Sequence, residues 1–486
     1  MKYEAVIGLE VHAQLRTRSK IFCGCSTSFG DPPNTNTCPV CLGMPGALPV
    51  LNRQAVAMAA QAAVALGCRV NRRSLFARKN YFYPDLPKGY QISQYDQPLA
   101  GSGRVQVWTG RRDPSGQIVD RIHKTFRIHR IHLEDDAGKS IHSPGGGSYL
   151  NLNRCGVPLI EIVSEPDFRS SQEAHDYLEH LRRTLMYLGI CDGNMEEGSL
   201  RCDANVSVRP RGERRLGTKL EIKNLNSFRF LQKALDYEVQ RQIEVLRSGG
   251  AVEQETRLWD EEGNRTALMR SKEEAQDYRY FPDPDLLPVR ISEESLQDLK
   301  SSLPELPEPR RQRLGQEHGL EGEEALMLVQ SRAFADYFEA AVGQGTAARA
   351  AYNWMMGGLT RLLKADRRGI EQCPVSPQSL SELIQMVDNG AISGKIAKDV
   401  LEKMYRQGKD AGTVVEQEGL RQISDSAALE EMIDTVLMAE PAKVEAYRGG
   451  KTGLLGFFVG QVMGQTRGQA HPQLVNRILK EKLDQS

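Results

Sequence analysis

At 486 residues the chain exceeds what one compact core sustains, so two to four domains are expected. Apolar residues make up 40% and charged residues 26%, the balance of a soluble globular protein, and no run approaches the eighteen apolar residues of a membrane span. The 63 basic and 63 acidic residues cancel, yet residues 1–130 hold 18 Lys/Arg against 7 Asp/Glu and residues 441–486 hold 7 against 3. Two basic ends around an acidic middle suit a polyanion that touches both, and equally an unevenly charged solvated surface.

The first residues, "MKYEAVIGLEVHAQL", carry charges where a signal peptide needs an apolar run. Within "VIGLEVHAQL" the side chains alternate: Leu9, Val11, Ala13 and Leu15 form one face of a strand, Glu10, His12 and Gln14 the other. Then come Cys-x-Cys, a twelve-residue loop and Cys-x-x-Cys, at Cys23, Cys25, Cys38 and Cys41. Four soft ligands in two tight pairs, with Gly, Pro and Asn turns between them, predict a structural Zn²⁺ site whose filled shell leaves no reactive position. Gly43 and Pro45 after Cys41 oppose the helix that a thioredoxin-type redox pair would need. The other five cysteines are scattered, which predicts a reduced, cytoplasmic setting.

Residues 52–67 have helical spacing of apolar residues and predict the first helix. "RKNYFYPDLPKGYQISQYD" then offers two cations, Lys79 and Lys88, and three rings, Tyr81, Tyr83 and Tyr90, for a nucleotide or a tRNA end; it reads equally as a packed surface turn. Further strands follow in "RVQVWTG", "RIHLEDD", "LIEIVSE", "DANVSVRP" and "KLEIKN", with a helix over 171–189. They set His132, Glu134, Glu161, Asp203, Glu221 and Lys223 opposite apolar neighbours. One solvated face is common in antiparallel sheets, so each strand singly means little. If the strands are neighbours, their carboxylates repel, and a hard dication such as Mg²⁺ relieves the repulsion in a setting that handles phosphates.

"YFPDPDLLPVRISEESLQDLKSSLPELPEP" holds six of the 23 prolines in thirty residues and marks a domain boundary. Beyond Pro309 the pattern turns to amphipathic helices, with a last helical unit from about Lys409. The expected architecture is α+β. A large β-sheet domain with flanking helices spans 1–292 and carries a zinc-ribbon-like insert at 21–45; a helical connector spans 293–408 and a small helical tail 409–486. In the tail, "GGKT" looks like a phosphate loop. Glu445 stands where that loop needs Gly, and no buried strand leads in, so an ATP role there is rejected.

Taken in order, "VIGLEVHAQL", "TCPVCLGMPGALPVLN", "RKNYFYPDLPKGYQISQYD", "IHLEDDAGK", "NRCGVPLIEIVSEPD", "RCDANVSV" and "LEIKNLNS" resemble the B subunits of the aspartyl/glutamyl-tRNA amidotransferases. The resemblance spans the whole chain, with one departure at Asn151, where the family usually has Asp. It implies a cradle-like sheet domain and an ATP-dependent enzyme. That enzyme phosphorylates the side-chain carboxylate of Glu-tRNA(Gln) or Asp-tRNA(Asn) and lets ammonia displace the phosphate. The resemblance further implies His12, Glu134 and Glu161 as Mg²⁺ ligands, with Glu10, Asp203 and Glu221 as second-site or shell residues. Lys79, Tyr81 and Lys88 would then meet ATP or substrate, and the tail would hold tRNA phosphates through Arg448, Lys451 and Arg467. Ammonia would come from a separate amidase, the A subunit, and a small third partner, the C subunit, would complete the heterotrimer. A noncatalytic, zinc-containing RNA-binding protein is the alternative that the basic ends and the cysteines leave open.

Overall fold

The computed structural model describes residues 2–113, 118–142, 146–271, 277–320, 322–420, 426–466, 470 and 472–484. They fall into two units, one up to Pro307 and one from Glu308. In chain order the strands of the first unit are β1 (Tyr3–Gln14), β2 (Arg69–Val70), β3 (Arg73–Ser74), β4 (Ala77–Asn80), β5 (Tyr90–Ser93), β6 (Ala100–Arg112), β7 (Ile118–Asp135) and β8 (Lys139–His142). They continue with β9 (Ser148–Asn151), β10 (Pro158–Ser164), β11 (Leu200–Pro210), β12 (Leu220–Lys223), β13 (Glu255–Asp260), β14 (Arg265–Ser271), β15 (Phe281–Pro282) and β16 (Val289–Arg290). Nine of these strands form one sheet in the order β14-β13-β12-β11-β1-β10-β7-β6-β2, antiparallel except for the β12–β13 pair. In the segment from Arg78 to Asp96, a loop over 81–89 runs between β4 and β5, which join β15 in a small sheet.

Alternation decides which face of the large sheet is buried. Leu9, Val11 and Ala13 of β1 share a core with Ile131 and Leu133 of β7, Ile160 and Ile162 of β10, and Ala204 and Val206 of β11. Each such Leu or Ile contributes about 1.5–3 kcal/mol by leaving water. Helices α1 (Arg53–Ala65), α2 (Ser171–Tyr187) and α3 (Phe228–Arg247) add Ala59, Ala63, Leu178, Leu181, Leu231 and Leu235 to that core. Their starts are fixed by side chains that accept orphan backbone N–H groups: Asn52 from Gln54 and Ala55, Ser170 from Glu173, and Ser227 from Phe230.

The sheet core reaches beyond residue 292, the limit expected from the sequence. Leu296, on α4 (Glu293–Ser302), is buried within it, and the first unit ends at Pro307. The second unit is helical: α5 (Pro307–His318), α6 (Glu323–Leu328), α7 (Arg332–Gly343), α8 (Ala348–Trp354), α9 (Thr360–Ala365), α10 (Pro377–Asp388), α11 (Gly394–Gln407), α12 (Ala411–Gln417), α13 (Ser426–Ala439), α14 (Pro441–Arg448), α15 (Leu455–Gln465) and α16 (Pro472–Asp484). It has two cores, and α12 places Ala411, Val414 and Val415 in the first of them. The break at "YRQGKDAG" is therefore a turn between two helices of one core. Gly408 stops α11 at φ 67°, and the Asp410 carboxylate caps α12. Among the described residues no helix is long and apolar enough to cross a membrane.

Candidate active site

Three adjacent strands build the site on the polar face of the large sheet. His12 of β1 is paired with Glu161 of β10, and Glu161 with His132 of β7. One row across the sheet thus reads His12–Glu161–His132, and Glu134 follows two residues along β7 on the same face. Glu161 Oε2 lies 3.3 Å from His12 Nε2 and 3.2 Å from His132 Nε2, and His132 Nε2 lies 3.0 Å from Glu134 Oε1. Ligand atoms of His12, Glu134 and Glu161 fall within 4.8 Å of one another.

Both carboxylates are buried, Glu134 at 2% exposure and Glu161 at 7%. Ser93 Oγ donates to Glu134 Oε1 at 2.6 Å and Gln91 Nε2 donates to Oε2 at 3.0 Å. Burial pushes the Glu161 carboxyl up, but the His132 and His12 imidazoles outweigh it and hold that carboxyl well below its usual range. Glu134 is also held down, with burial and Glu161 opposed by His132 and Lys79. Burial lowers His132, yet Glu161 and Glu134 raise it to about 9. His132 Nδ1 is buried without a hydrogen-bond partner, so its two carboxylate contacts alone orient the polar edge of the ring. In this arrangement the imidazoles supply the positive charge that two buried carboxylates require.

The second tier of acidic residues is held differently. Glu10 accepts a hydrogen bond from Asn205 Nδ2 at 2.8 Å, and burial together with Glu161 and Glu221 raises its pKa. Asp203 and Glu221 share Lys223, whose Nζ lies 2.7 Å and 3.0 Å from them. Neither joins the His12 cluster. Lys79 faces the carboxylates, with its Nζ 4.8 Å from the centre of the Tyr278 ring. Tyr81 donates its hydroxyl to Gln91 Oε1 at 3.2 Å, which links it to Glu134 through Gln91. Lys88 does not match the expectation of an open phosphate contact: its amine is buried in an ion pair with Asp135. It lines a cavity of about 110 Å³ beside Cys23 and Cys41.

The Sγ atoms of Cys23, Cys25, Cys38 and Cys41 also gather within 4.8 Å, and no cysteine of the chain is in a disulfide. Residues 38–47 are turns, as Gly43 at φ 65° and Gly46 at φ 82° permit. The donors present favour thiolate: Cys38 N–H reaches Cys41 Sγ at 3.2 Å, and the buried Lys20 Nζ lies 3.5 Å from it. The Cys41 thiol is pulled down to about 4, first by its hydrogen bond with Cys23 and, against burial, by the Cys38 N–H and Lys20, whereas burial pushes the Cys25 thiol up to about 11. This donor set fits a tetrahedral zinc.

Residues 5–297 match the family model described as the GatB/GatE catalytic domain, and residues 336–483 match the one described as the GatB domain. The chain belongs to the GatB family. Curated relatives named as the B subunit of aspartyl/glutamyl-tRNA(Asn/Gln) amidotransferase include one from Solidesulfovibrio magneticus, 56% identical over 483 residues and 99% of each chain. One from Chlorobium phaeobacteroides is 54% identical over 484 residues and 100% of each chain, and one from Geobacter sulfurreducens is 53% identical over 487 residues, 99% of this chain and 100% of the relative.

Several residues that shape this GatB-family site were not assigned from the sequence. His132 bridges the two carboxylates, although its place two residues before Glu134 was a usable signal. The "LEDD" run splits three ways. After Glu134, Asp135 takes Lys88 and the Ile92 N–H, while Asp136 takes Arg201 through two 3.0 Å hydrogen bonds and Gln14 Nε2 at 2.7 Å. At the Asn151 departure, the Asn side-chain oxygen accepts from the Asn153 N–H at 3.0 Å, a turn that Asp would also make. In the tail, Arg448 donates to the Leu483 carbonyl at the end of α16, Lys451 is exposed, and Arg467 lies outside the described residues.

Proposed function

We propose that this chain is the B subunit of an aspartyl/glutamyl-tRNA(Asn/Gln) amidotransferase, and that the His12–Glu134–Glu161 cluster is its phosphorylation and amidation site. The observation that carries this reading is the convergence of His12, Glu134 and Glu161 from three strands to within 4.8 Å. A carboxylate is a poor acyl donor because its oxygen leaves badly. ATP repairs that when an oxygen of the Glu or Asp side chain on the mischarged tRNA bonds to the γ-phosphorus and ADP departs. Ammonia then bonds to the acyl carbon, and phosphate leaves with one of its protons. Mg²⁺ held by His12, Glu134 and Glu161, with Glu10 beside them, would offset the charge of bringing ATP to an anion.

The chain's own groups supply the rest. Ser93, Gln91 and His132 orient the two carboxylates, and Lys79 presents a cation to phosphate oxygens with Tyr81 behind it. Asp203 and Glu221, each bound to Lys223, belong to the surrounding shell. Zinc on the four cysteines braces the loop. The division into sheet domain, connector and tail remains our reading, with Lys451 rather than the engaged Arg448 as the tail's open phosphate contact. The partners in the cytoplasm are an amidase (the A subunit), which supplies ammonia, together with a small third protein (the C subunit).

The test is to co-express the chain with those two partners, add mischarged tRNA, and measure Mg²⁺-dependent ATP turnover and amidation by supplied ammonia. Both activities are expected. Binding of tRNA without any nucleotide turnover by the assembly would favour the noncatalytic RNA-binding alternative instead.

A further inference from the structure

The row of the sheet next to His12–Glu161–His132 reads Asp203–Glu10–Val163–Arg130–Gly101. Arg130 lies on β7 two residues before His132, with the core residue Ile131 between them, so its side chain shares the site's face. Its row neighbours are Val163 and Gly101, and neither offers an acceptor. Arg130 Nε is buried and makes no hydrogen bond, and no carboxylate among the described residues pairs with the guanidinium.

Three other cations around the site differ in this respect. Arg201 is bound to Asp136, Lys88 to Asp135, and Lys223 to Asp203 and Glu221. Lys79 is more like Arg130: its Nζ lies against the rings of Tyr278 and Tyr81, and no carboxylate among the described residues forms an ion pair with it. Lys79 and Arg130 both act electrostatically on the Tyr280 hydroxyl, as do Glu134 and Glu161, so all four charges lie within electrostatic range of one hydroxyl. Tyr280 is itself held by stacking on Tyr95, at 4.3 Å and 9° between planes. Adjacent strands lie about 4.8 Å apart, which puts Arg130 within side-chain reach of the space above the short Val163. Partly buried charge without a counter-ion is costly in a folded protein, and its persistence beside the carboxylate cluster points to an anion that arrives from outside.

We propose that Arg130 binds the phosphoryl group in flight, above Val163, with Lys79 on the same group. This rests on the amidotransferase reading above. In the transfer step the P–O bond to the amino-acid carboxylate forms as the bond from the γ-phosphorus to the bridging oxygen breaks. ADP leaves with the electron pair, and no proton moves. Charge spreads over the three equatorial oxygens, and a guanidinium fork matches two of them.

The test uses the assembled heterotrimeric enzyme with ATP, Mg²⁺ and mischarged tRNA. R130Q is expected to lower kcat for ATP turnover and for ammonia-dependent amidation together by about 100-fold or more, with tRNA affinity and melting temperature unchanged. R130K should regain about tenfold of that loss, since a point charge replaces a fork. Free guanidinium added to R130A should restore part of the turnover, which a packing role would not allow. Turnover by R130Q within threefold of the parent, a change confined to the KM for ATP, or absence of guanidinium rescue overturns the proposal. Should R130Q fail to assemble, R130K decides: parental kcat sinks the role, and a reduced kcat with parental melting supports it. An inactive parent enzyme would instead mark the failure of the amidotransferase reading itself.

Discussion

The four cysteines lie within nineteen residues of one another on a turn-rich loop, whereas His12, Glu134 and Glu161 come from strands far apart in the chain and meet only through sheet register. A loop site of this kind is written in local spacing, and an ion held there would do folding work that a core otherwise does. The sheet site is the reverse: the core on the opposite face positions β1, β10 and β7, and His12, Glu134 and Glu161 are carried into place with them. The loop gathers four sulfurs, while the sheet gathers two buried carboxylates and an imidazole within electrostatic range of Lys79. Damage to one should therefore show in stability and damage to the other in turnover.

The sharpest test of that contrast is Glu161→Gln. Removing the charge shared by His12 and His132 is expected to lower ATP turnover and ammonia-dependent amidation about 100-fold or more, while zinc content stays at the parental level. Parental rates would break the comparison. Cys41→Ser should do the opposite. It should lose the bound zinc and lower the melting temperature by roughly 5–10 °C, with kcat at low temperature changed less than about threefold; metal analysis and calorimetry on one preparation check both.

A third test concerns pH. The folded-state pKa of His132 is raised to about 9 from its ordinary 6.5, so the stability it contributes is fully present below 6.5 and is lost as pH rises through about 9. Urea unfolding without added divalent cation should show a fall on the order of 2–3 kcal/mol between about pH 6.5 and 9.5. His132→Gln should shrink that fall, leaving the part that His12 contributes through its own contact with Glu161. The smallest effect is expected at Asn52, which caps α1 and whose amide also donates to Ser19 O at 3.1 Å. Asn52→Ala should cost about 1 kcal/mol of stability and leave both zinc content and turnover near parental.

Much of this was legible in the sequence. Period-two alternation picked out the segments of β1, β7, β10, β11 and β12 and the polar face they share, and cysteine spacing gave the loop. Alternation could not show that β1 sits between β10 and β11, because pairing across such distances in sequence leaves no local mark. It also ends at Glu134, so Asp135 and Asp136 looked like one acidic run although each has its own cation. The strands β4, β5 and β15 have two to four residues, too few for a period to register. Gly408 read as a boundary because a helix stop looks the same whether the next helix joins the old core or starts a new one.

The central position of β1 has a consequence for how the chain is made. Its hydrogen-bonding partners start at Pro158 and Leu200, so β1 leaves the ribosome well before either neighbour exists. At about 5–20 residues per second, that interval is roughly 8–30 s. During that time an apolar strand bearing His12 has both edges open, and nascent chains of this protein should depend on holdase chaperones until β11 emerges.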